Sequence, residues 1–331
     1  IACRNTKETE KIFMLRLFNI DKVGRLKEQT PTEDQLKQAV AKAAWIDAHD
    51  ASDSERAQLQ AFLRTALPES DDVEEIESSA RYFTDNTGVH VRSLFLAQSE
   101  GRHSTATVAF ILQNDRLITL RDGALADFRL LRMRARRGQV EAHSPQELLI
   151  LMFEQKVENL ADALEDIHRK LEEVSYMVLE EIDSDLENAI DQLAKLEDSN
   201  GKIRLCLMDT QRSISFLQRH LRAHPELQET ARQIMRDVDT LMSHTTFLFD
   251  KINFLMDSTQ GFINIEQNKI IKIFSIAAVV FLPPTLVASI YGMNFRYMPE
   301  LSLELGYPGA LFLMLLAGVA PYWIFKRKGW L

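Results

Sequence analysis

Two long apolar runs near the end of the chain dominate its pattern of hydrophobic and polar positions. Ile273 to Ile290 is a run of 18 uncharged residues, and Tyr307 to Phe325 is a run of 19. A helix needs about 20 apolar residues to cross the hydrocarbon core of a bilayer, so both runs are long enough. Trp323 and Trp330 are typical of an interfacial aromatic belt. We therefore expect two membrane-spanning helices rather than two buried helices of a soluble core.

Residues 1–144 show a different pattern, in which short apolar runs alternate with helical periodicity. Runs rich in β-branched and aromatic residues predict five strands, with the sequences IFMLRLFNI, AAWIDAH, VHVRSLFLA, TATVAFILQ and RLITL. Helical patterns at 33–43 and 52–66 lie between them. Turn-forming residues at 85–88 and 114–115 separate strand pairs. This part of the chain is expected to form an α/β domain.

From Pro145 the pattern becomes helical, and residues 145–270 are expected to form a helical stalk region. Continuous helical periodicity predicts one helix over residues 145–180 and another over about 183–222. Together with a membrane domain at 271–331, these segments predict an α+β membrane protein with three parts.

A third helix is predicted to begin at Pro225, and the next proline is Pro283. Its apolar positions alternate steps of four and three, which is a heptad seam. The seam consists of Leu227, Ala231, Ile234, Val238, Leu241, Thr245, Leu248, Ile252 and Leu255. At 1.5 Å per residue, a helix over 226–290 would be about 100 Å long and continuous with the first membrane span. The alternative is a helical hairpin broken near Gly261.

Charge and motifs exclude several classes of function. The net charge of −9 argues against non-specific nucleic-acid binding, which requires a basic surface. The chain has no catalytic constellation and no GxxxxGK[ST] phosphate loop, so we expect neither an enzyme nor an ATP-driven pump. Basic residues precede the first apolar run and follow the second, whereas the connecting loop has only Arg296. This distribution predicts that both termini are cytoplasmic and that the connecting loop faces outward.

The loop between the two apolar runs carries a recognisable motif. YGMNF at 291–295, MPEL at 298–301 and GYPGA at 306–310 closely resemble the CorA family of magnesium and cobalt transporters. GFINIEQNKIIKIFSI, FLPPTLVAS, EIESSARYF and KIRLCLMDTQR resemble its enterobacterial members, so the resemblance covers most of the chain. Many members have an acidic residue after the phenylalanine of GMNF, whereas this chain has Arg296.

The resemblance implies a homopentamer that conducts Mg²⁺, and also Co²⁺ or Ni²⁺, into the cell. Five copies of the first span would line the pore, with a cytoplasmic funnel below it. Gly292, Met293 and Asn294 would form a selectivity filter at the outer mouth. Mg²⁺ releases its water reluctantly, so neutral oxygens that bind the hydrated ion without trapping it suit conduction. Considered alone, Gly-Met-Asn could equally be a helix C-cap.

Steps of three and four from Asn268 describe one face of the first span. The resemblance places Asn268, Ile271, Leu282 and Thr285 toward the pore, with Phe274 as a possible neighbour in the constriction. Large apolar side chains at such a point would form a hydrophobic gate. Plain helix packing is the alternative role of Ile271, Phe274 and Leu282.

Acidic residues offer two further expectations. Glu300 in the outer loop, repeated five times, would raise the cation concentration at the mouth. The resemblance implies regulatory divalent ions between subunits, for which Asp237 and Asp239 on the third helix are candidate ligands. Two other functions remain open: a zinc transporter of the same superfamily, and a membrane-anchored sensor or scaffold.

Overall fold

The structure is a computed structural model that describes residues 15–29, 36–50, 57, 60–61, 81–99, 101–180 and 185–329. It divides into two compact units, residues 1–256 and residues 257–331. The helical pattern at 52–66 lies mostly outside the described residues. The three-part division suggested by the sequence stays a prediction.

The first unit contains a mixed sheet of seven strands. The strands are β1 (Leu15–Ile20), β2 (Leu26–Gln29), β3 (Trp45–His49), β4 (Tyr82–Asp85), β5 (Gly88–Ser99), β6 (Arg102–Leu112) and β7 (Leu117–Arg121). Their order across the sheet is β2-β1-β3-β7-β6-β5-β4. Neighbours are antiparallel except β3 and β7, which are parallel. All five strands predicted from the sequence are confirmed, and the short strands β2 and β4 are additional.

The hairpin between β4 and β5 is closed by the turn residues that the sequence suggested. Oδ1 of Asp85 accepts hydrogen bonds from the backbone amides of Thr87 and Gly88. Gly88 has a φ of +152°, and a β-carbon there would lie 2.4 Å from the carbonyl oxygen of Leu112. Only glycine fits this position, because both the backbone angle and the close approach exclude a side chain.

Helices cover both faces of the sheet. They are α1 (Leu36–Lys42), α2 (Ala126–Arg136), α3 (Pro145–Leu179) and α4 (Leu186–His220). The larger core joins one face of the sheet to α2, α3 and α4, through residues such as Phe95, Phe110, Phe128 and Phe153. A smaller core, including Val40, covers the opposite face. Ser144 caps α3 by accepting a hydrogen bond from the amide of Glu147, which explains why this helix begins at Pro145.

The longest helix, α5, covers Pro225–Tyr291 without interruption, through Gly261 and the Pro283-Pro284 pair. The predicted heptad seam is its buried face in the first unit. Seven seam positions are buried, namely Ala231, Ile234, Val238, Thr245, Leu248, Ile252 and Leu255. The amide of Asn200 on α4 donates to the backbone carbonyl of Thr245, which helps to fix the register of the two helices. The hairpin alternative near Gly261 is therefore wrong.

The second unit contains the end of α5, a short 3₁₀ turn at Pro299–Ser302 and the final helix α6 (Gly306–Arg327). Both helices contain apolar stretches long enough to cross a membrane, with mean hydropathies of 2.2 and 1.7 over their most apolar 18 residues. Almost none of this apolar surface is buried by the part of the chain that the structure describes. A bilayer or further protein must therefore cover it.

Candidate functional site

The two faces of the first span have different surroundings. Residues that are partly covered lie on the side toward α6, and they include Val280, Pro284 and Val287. The face predicted to line the pore is uncovered. Ile271, Phe274 and Leu282 expose 61%, 72% and 66% of their surfaces. One side of the helix thus packs against its own chain, and the other side is available for a lumen or for neighbouring subunits.

Polar residues mark both ends of this uncovered face. Asn268 is exposed, and so is Thr285. The hydroxyl of Thr285 donates to the carbonyl of Phe281 at 2.7 Å. The oxygen of that hydroxyl can still accept a hydrogen bond, for example from water. Between these polar ends the face carries the large apolar side chains of Ile271 and Leu282, with the smaller Ser275 and Ala278 between them.

The two spans meet where Gly318 of α6 lies against the Pro284 ring of α5. A β-carbon at Gly318 would be 3.3 Å from Cγ of Pro284 and 3.4 Å from the carbonyl oxygen of Val280. Pro284 lacks the N–H that would otherwise bind this carbonyl within the helix. The freed Val280 carbonyl is therefore directed toward the second span rather than toward the uncovered face.

The Gly-Met-Asn triplet lies at the end of α5. The amide of Gly292 donates to the carbonyl of Ala288 at 2.9 Å, and the amide of Met293 to that of Ile290 at 3.2 Å. A β-carbon at Gly292 would be 3.1 Å from the Ala288 oxygen, a close approach that favours glycine. Gly292 does not adopt a positive φ, so the left-handed glycine cap is absent at this described position.

Asn294 follows immediately in irregular backbone. Its side chain is exposed, and among the described residues it forms no hydrogen bond. The amide therefore keeps its acceptor and both donors available for a ligand. Met293 is also exposed, at 45% of its surface. The three motif residues are thus adjacent at the end of the uncovered helix, with the polar group free.

The rest of the loop folds back onto the start of α6. A β-carbon at Gly306 would lie 2.4 Å from the carbonyl oxygen of Glu300, so only glycine permits this contact. The Glu300 side chain remains exposed, as does Arg296. Neither has an ion-pair partner among the described residues. Glu300 is available to attract cations, and Arg296 is an uncompensated positive charge close to the triplet.

Asp237 and Asp239 face different surroundings on α5. Asp239 accepts a hydrogen bond from the side-chain amide of Gln211 on α4, at 2.8 Å. Asp237 instead lines a groove of about 300 Å³ together with Glu154 and Glu158 of α3. The pKa of Glu154 is raised, mainly by burial and then by the charges of Glu158 and Asp237. The two aspartates therefore do not act as a pair.

Glu154 and Glu158 are the residues that the sequence did not single out. Their spacing of four on α3 was a detectable signal, but their proximity to Asp237 depends on how α3 packs against α5. Throughout the described ranges, no three His, Cys, Asp or Glu side chains are grouped closely enough to hold a metal ion by themselves. This acidic groove is consequently an incomplete set of ligands within one chain.

Buried charges connect the helices of the first unit to the sheet. Lys156 of α3 and Asp209 of α4 are buried, with 3.6 Å between Nζ and Oδ2. Asp209 also accepts hydrogen bonds from the Ser93 hydroxyl, the Leu94 amide and the Arg81 guanidinium. Every charge in this group has a partner, which makes it a structural connection rather than a vacant site.

Asp127, on α2, is also buried, but it has fewer hydrogen-bond partners than Asp209. Its Oδ2 accepts a hydrogen bond from Asn159 at 3.4 Å, and its Oδ1 has no hydrogen-bond partner within the described ranges. Burial raises the pKa of Asp127 to about 7. The side chain lines a small cavity beside Phe95 and Gln155, which is far too small for an organic ligand. It is therefore a titratable group of the core.

The sequence and the fold are similar to those of several known proteins. A family model described as "CorA-like Mg2+ transporter protein" matches residues 40–327. The magnesium transport protein CorA of Salmonella typhimurium is 48% identical over 320 residues, which cover 96% of this chain and 100% of the relative. The Escherichia coli protein of the same name is 49% identical with the same coverage. The solved CorA magnesium transporter of Methanocaldococcus jannaschii superposes with a TM-score of 0.71 at 18% identity, covering 96% of this chain and 99% of that one.

Proposed function

The chain belongs to the CorA family of magnesium transporters, and we propose that it forms a homopentameric channel through which Mg²⁺ enters the cell. The family is one of membrane transporters, so the protein is not an enzyme. One observation carries the proposal: Gly292, Met293 and Asn294 follow directly on an apolar helix whose uncovered face has no partner among the residues that the structure describes. Because two helices cannot enclose a water-filled path, that face needs other copies of the chain.

Asn294 is the central residue of the proposed filter. Five asparagine side chains around one axis would present a ring of neutral oxygens to the water shell of Mg²⁺. Small, strongly hydrated Mg²⁺ loses water reluctantly, so hydrogen bonds to the coordinated waters avoid a large dehydration barrier. Neutral acceptors also bind a divalent cation weakly enough for it to leave. The free amide of Asn294 supports this role, and the ring of Glu300 carboxylates would attract cations toward it.

The proposed gate is the apolar middle of the uncovered face. Ile271, Phe274 and Leu282 are large and exposed in the single chain, and a ring of such side chains excludes water when it is narrow. Asn268 and Thr285 would interact with hydrated ions on either side of this barrier. An apolar constriction suits a channel that is closed at rest, since a hydrated divalent ion cannot cross a dry passage.

We further propose that internal divalent cations close the channel by binding near Asp237. Glu154 and Glu158 lie in the same groove, and the raised pKa of Glu154 reflects partly their mutual repulsion. A cation would relieve this repulsion. The remaining ligands would come from an adjacent subunit. Asp239 is a second candidate, although its hydrogen bond with Gln211 would have to be exchanged.

Orientation and driving force complete the proposal. With both termini in the cytoplasm and the triplet outside, a negative interior draws Mg²⁺ inward. Each elementary charge gains about 2.3 kcal/mol per 100 mV, so a doubly charged ion gains about 4.6 kcal/mol. The location is then the inner (plasma) membrane. Co²⁺ and Ni²⁺ carry the same charge and are proposed as further substrates.

The test is a flux assay on purified full-length protein in liposomes. Vesicles loaded with a divalent-sensitive dye are exposed in turn to Mg²⁺, Co²⁺, Ni²⁺ and Zn²⁺ at equal concentration. We expect Mg²⁺ influx that internal Mg²⁺ suppresses, with Co²⁺ and Ni²⁺ also admitted. A preference for Zn²⁺ would favour the zinc-transporter alternative. No flux of any ion at any internal magnesium concentration would favour a membrane-anchored sensor or scaffold.

A further inference from the structure

A cationic groove in the first unit has no role in the proposed transport. It lies between β4, α4 and the early part of α5, and it encloses about 480 Å³. Its wall includes three arginines, two aromatic rings and one amide, contributed by Arg81, Arg212, Arg219, Tyr82, Phe216 and Gln211. The volume is within the range of small-molecule sites, about 300–1,000 Å³.

The arginines give the groove an excess of positive charge. Arg212 and Arg219 are seven residues apart on α4, so they lie on one face about 10 Å from each other. In the part of the chain that the structure describes, neither has an ion-pair or hydrogen-bond partner. Arg81 donates to Asp209, but this carboxylate is shared with Lys156. Gln211, which also lines the groove, donates its side-chain amide to Asp239, so the three arginines outnumber the carboxylates Asp209 and Asp239 that contact lining residues in the described part of the chain.

Besides the arginines, the groove is lined by two aromatic side chains. The rings of Tyr82 and Phe216 are 5.5 Å apart at an angle of 34°. The Tyr82 hydroxyl is fixed by Asp209 and Ser213, so this ring has a defined position. A partly exposed pair of rings beside free guanidinium groups provides a stacking surface and an anion-binding surface within one cavity.

We infer that this groove binds a nucleotide, with its phosphates on the arginines and its base against Tyr82 and Phe216. Guanidinium groups bind phosphate oxygens in pairs of parallel hydrogen bonds, which explains the preference for arginine at such sites. Aromatic side chains stack on any nucleobase through its π-face. A simple anion would make no use of the rings, and an uncharged aromatic compound would leave the arginines uncompensated. A nucleotide satisfies both halves of the groove.

Nucleotide binding is measured independently of transport, so the inference does not depend on the proposed function. Labelled ATP is titrated against full-length protein in detergent, with the free Mg²⁺ concentration held constant because ATP chelates the ion. The variants are Arg212→Gln and Arg219→Gln, which remove charge from exposed positions and leave the core intact. Arg204→Gln is the matched control, since Arg204 lies on the same helix outside the groove and contacts Thr246.

We expect ATP to bind the unmodified protein and the Arg204→Gln variant equally, and each groove variant to bind at least about tenfold more weakly. Phe216→Leu should weaken ATP binding without changing the binding of tripolyphosphate. Three results would overturn the inference: no ATP binding by the unmodified protein, equal affinity in all three arginine variants, or displacement of ATP by tripolyphosphate as effective as by ATP itself. Unchanged thermal midpoints of the variants establish that any loss is local.

Discussion

Gly318 of the second membrane span packs against Pro284 of the first, with room at Gly318 for a hydrogen atom but hardly for a methyl group. The contact has two consequences. It brings the helix backbones close together, as small residues do in membrane helix pairs. It also covers the Val280 carbonyl, which Pro284 leaves without a helical donor.

We predict that Gly318→Leu separates the spans and lowers the stability of the membrane part. Overpacking of a close contact costs about 1–3 kcal/mol, which corresponds to a fall of roughly 2–10 °C in the thermal midpoint of the detergent-solubilised protein. Gly309→Leu is the control, because a β-carbon at Gly309 meets no atom within 4 Å. Equal midpoints for the two variants would refute the packing role of Gly318.

The buried ion pair of Lys156 and Asp209 predicts a large effect of removing one partner. Asp209→Asn should lower the free energy of unfolding by about 3–5 kcal/mol, because Lys156 is then left as an uncompensated buried charge. Asp198→Asn is the comparison on the same helix. Asp198 pairs with Lys202 at the surface, and loss of an exposed pair should cost less than about 1 kcal/mol. Chemical denaturation of both variants measures the difference, and similar losses would contradict a structural role of the buried pair.

We predict that the titration of Asp127 contributes to the pH dependence of the free energy of unfolding. Its pKa is raised from 3.8 to about 7 by burial, so between these values the folded protein keeps a proton that the unfolded chain has released. The unfolded state then binds fewer protons, and stability falls as the pH rises from 4 to 7. At about 1.4 kcal/mol per pKa unit, the contribution is at most about 4 kcal/mol. Asp127→Asn should remove this part of the slope in thermal unfolding measured from pH 4 to 8. An identical slope in the variant would mean that Asp127 is ionised in the fold.

Regulation should distinguish the two aspartates of α5. Asp237→Asn is expected to raise the internal Mg²⁺ concentration needed for closure several-fold, because it removes a carboxylate from the groove with Glu154 and Glu158. Asp239→Asn should have a smaller effect, since this side chain is already hydrogen-bonded to Gln211. Dye-loaded liposomes with graded internal Mg²⁺ provide both inhibition curves. Curves that coincide with that of the unmodified protein would make both residues ordinary surface charges.

The sequence predicted those features that depend on local periodicity. The long apolar runs identified both spans, and the steps of four and three identified the buried face of α5, including the polar Thr245. The strands rich in β-branched residues were also recognisable. By contrast, β2 and β4 are four residues each, too short to show an alternation of their own.

Contacts between distant segments could not be predicted in the same way. Lys156 and Asp209 are 53 positions apart, and each looks like an ordinary helical surface charge in the sequence. Only the packing of α3 and α4 on the sheet buries them together. Helix packing also separates Asp237 from Asp239, which the sequence had suggested together as candidate metal ligands. Their spacing of two directs their side chains to different faces of a helix, and the partners Glu154 and Gln211 come from other helices.

The central claim is that Mg²⁺ passes a ring formed by Asn294, and flux through the Asn294→Ala variant tests it most directly. The purified variant and the unmodified protein are reconstituted side by side, with Mg²⁺ influx measured at low internal Mg²⁺ and the oligomeric state measured by mass. Asn294 is exposed and forms no hydrogen bond among the described residues, so its replacement should leave the proposed pentamer intact. We predict that influx falls by at least about tenfold, as expected when a hydrogen-bonding group worth more than about 1.4 kcal/mol to the passing ion is lost. Influx equal to that of the unmodified protein, from an intact pentamer, would contradict the account.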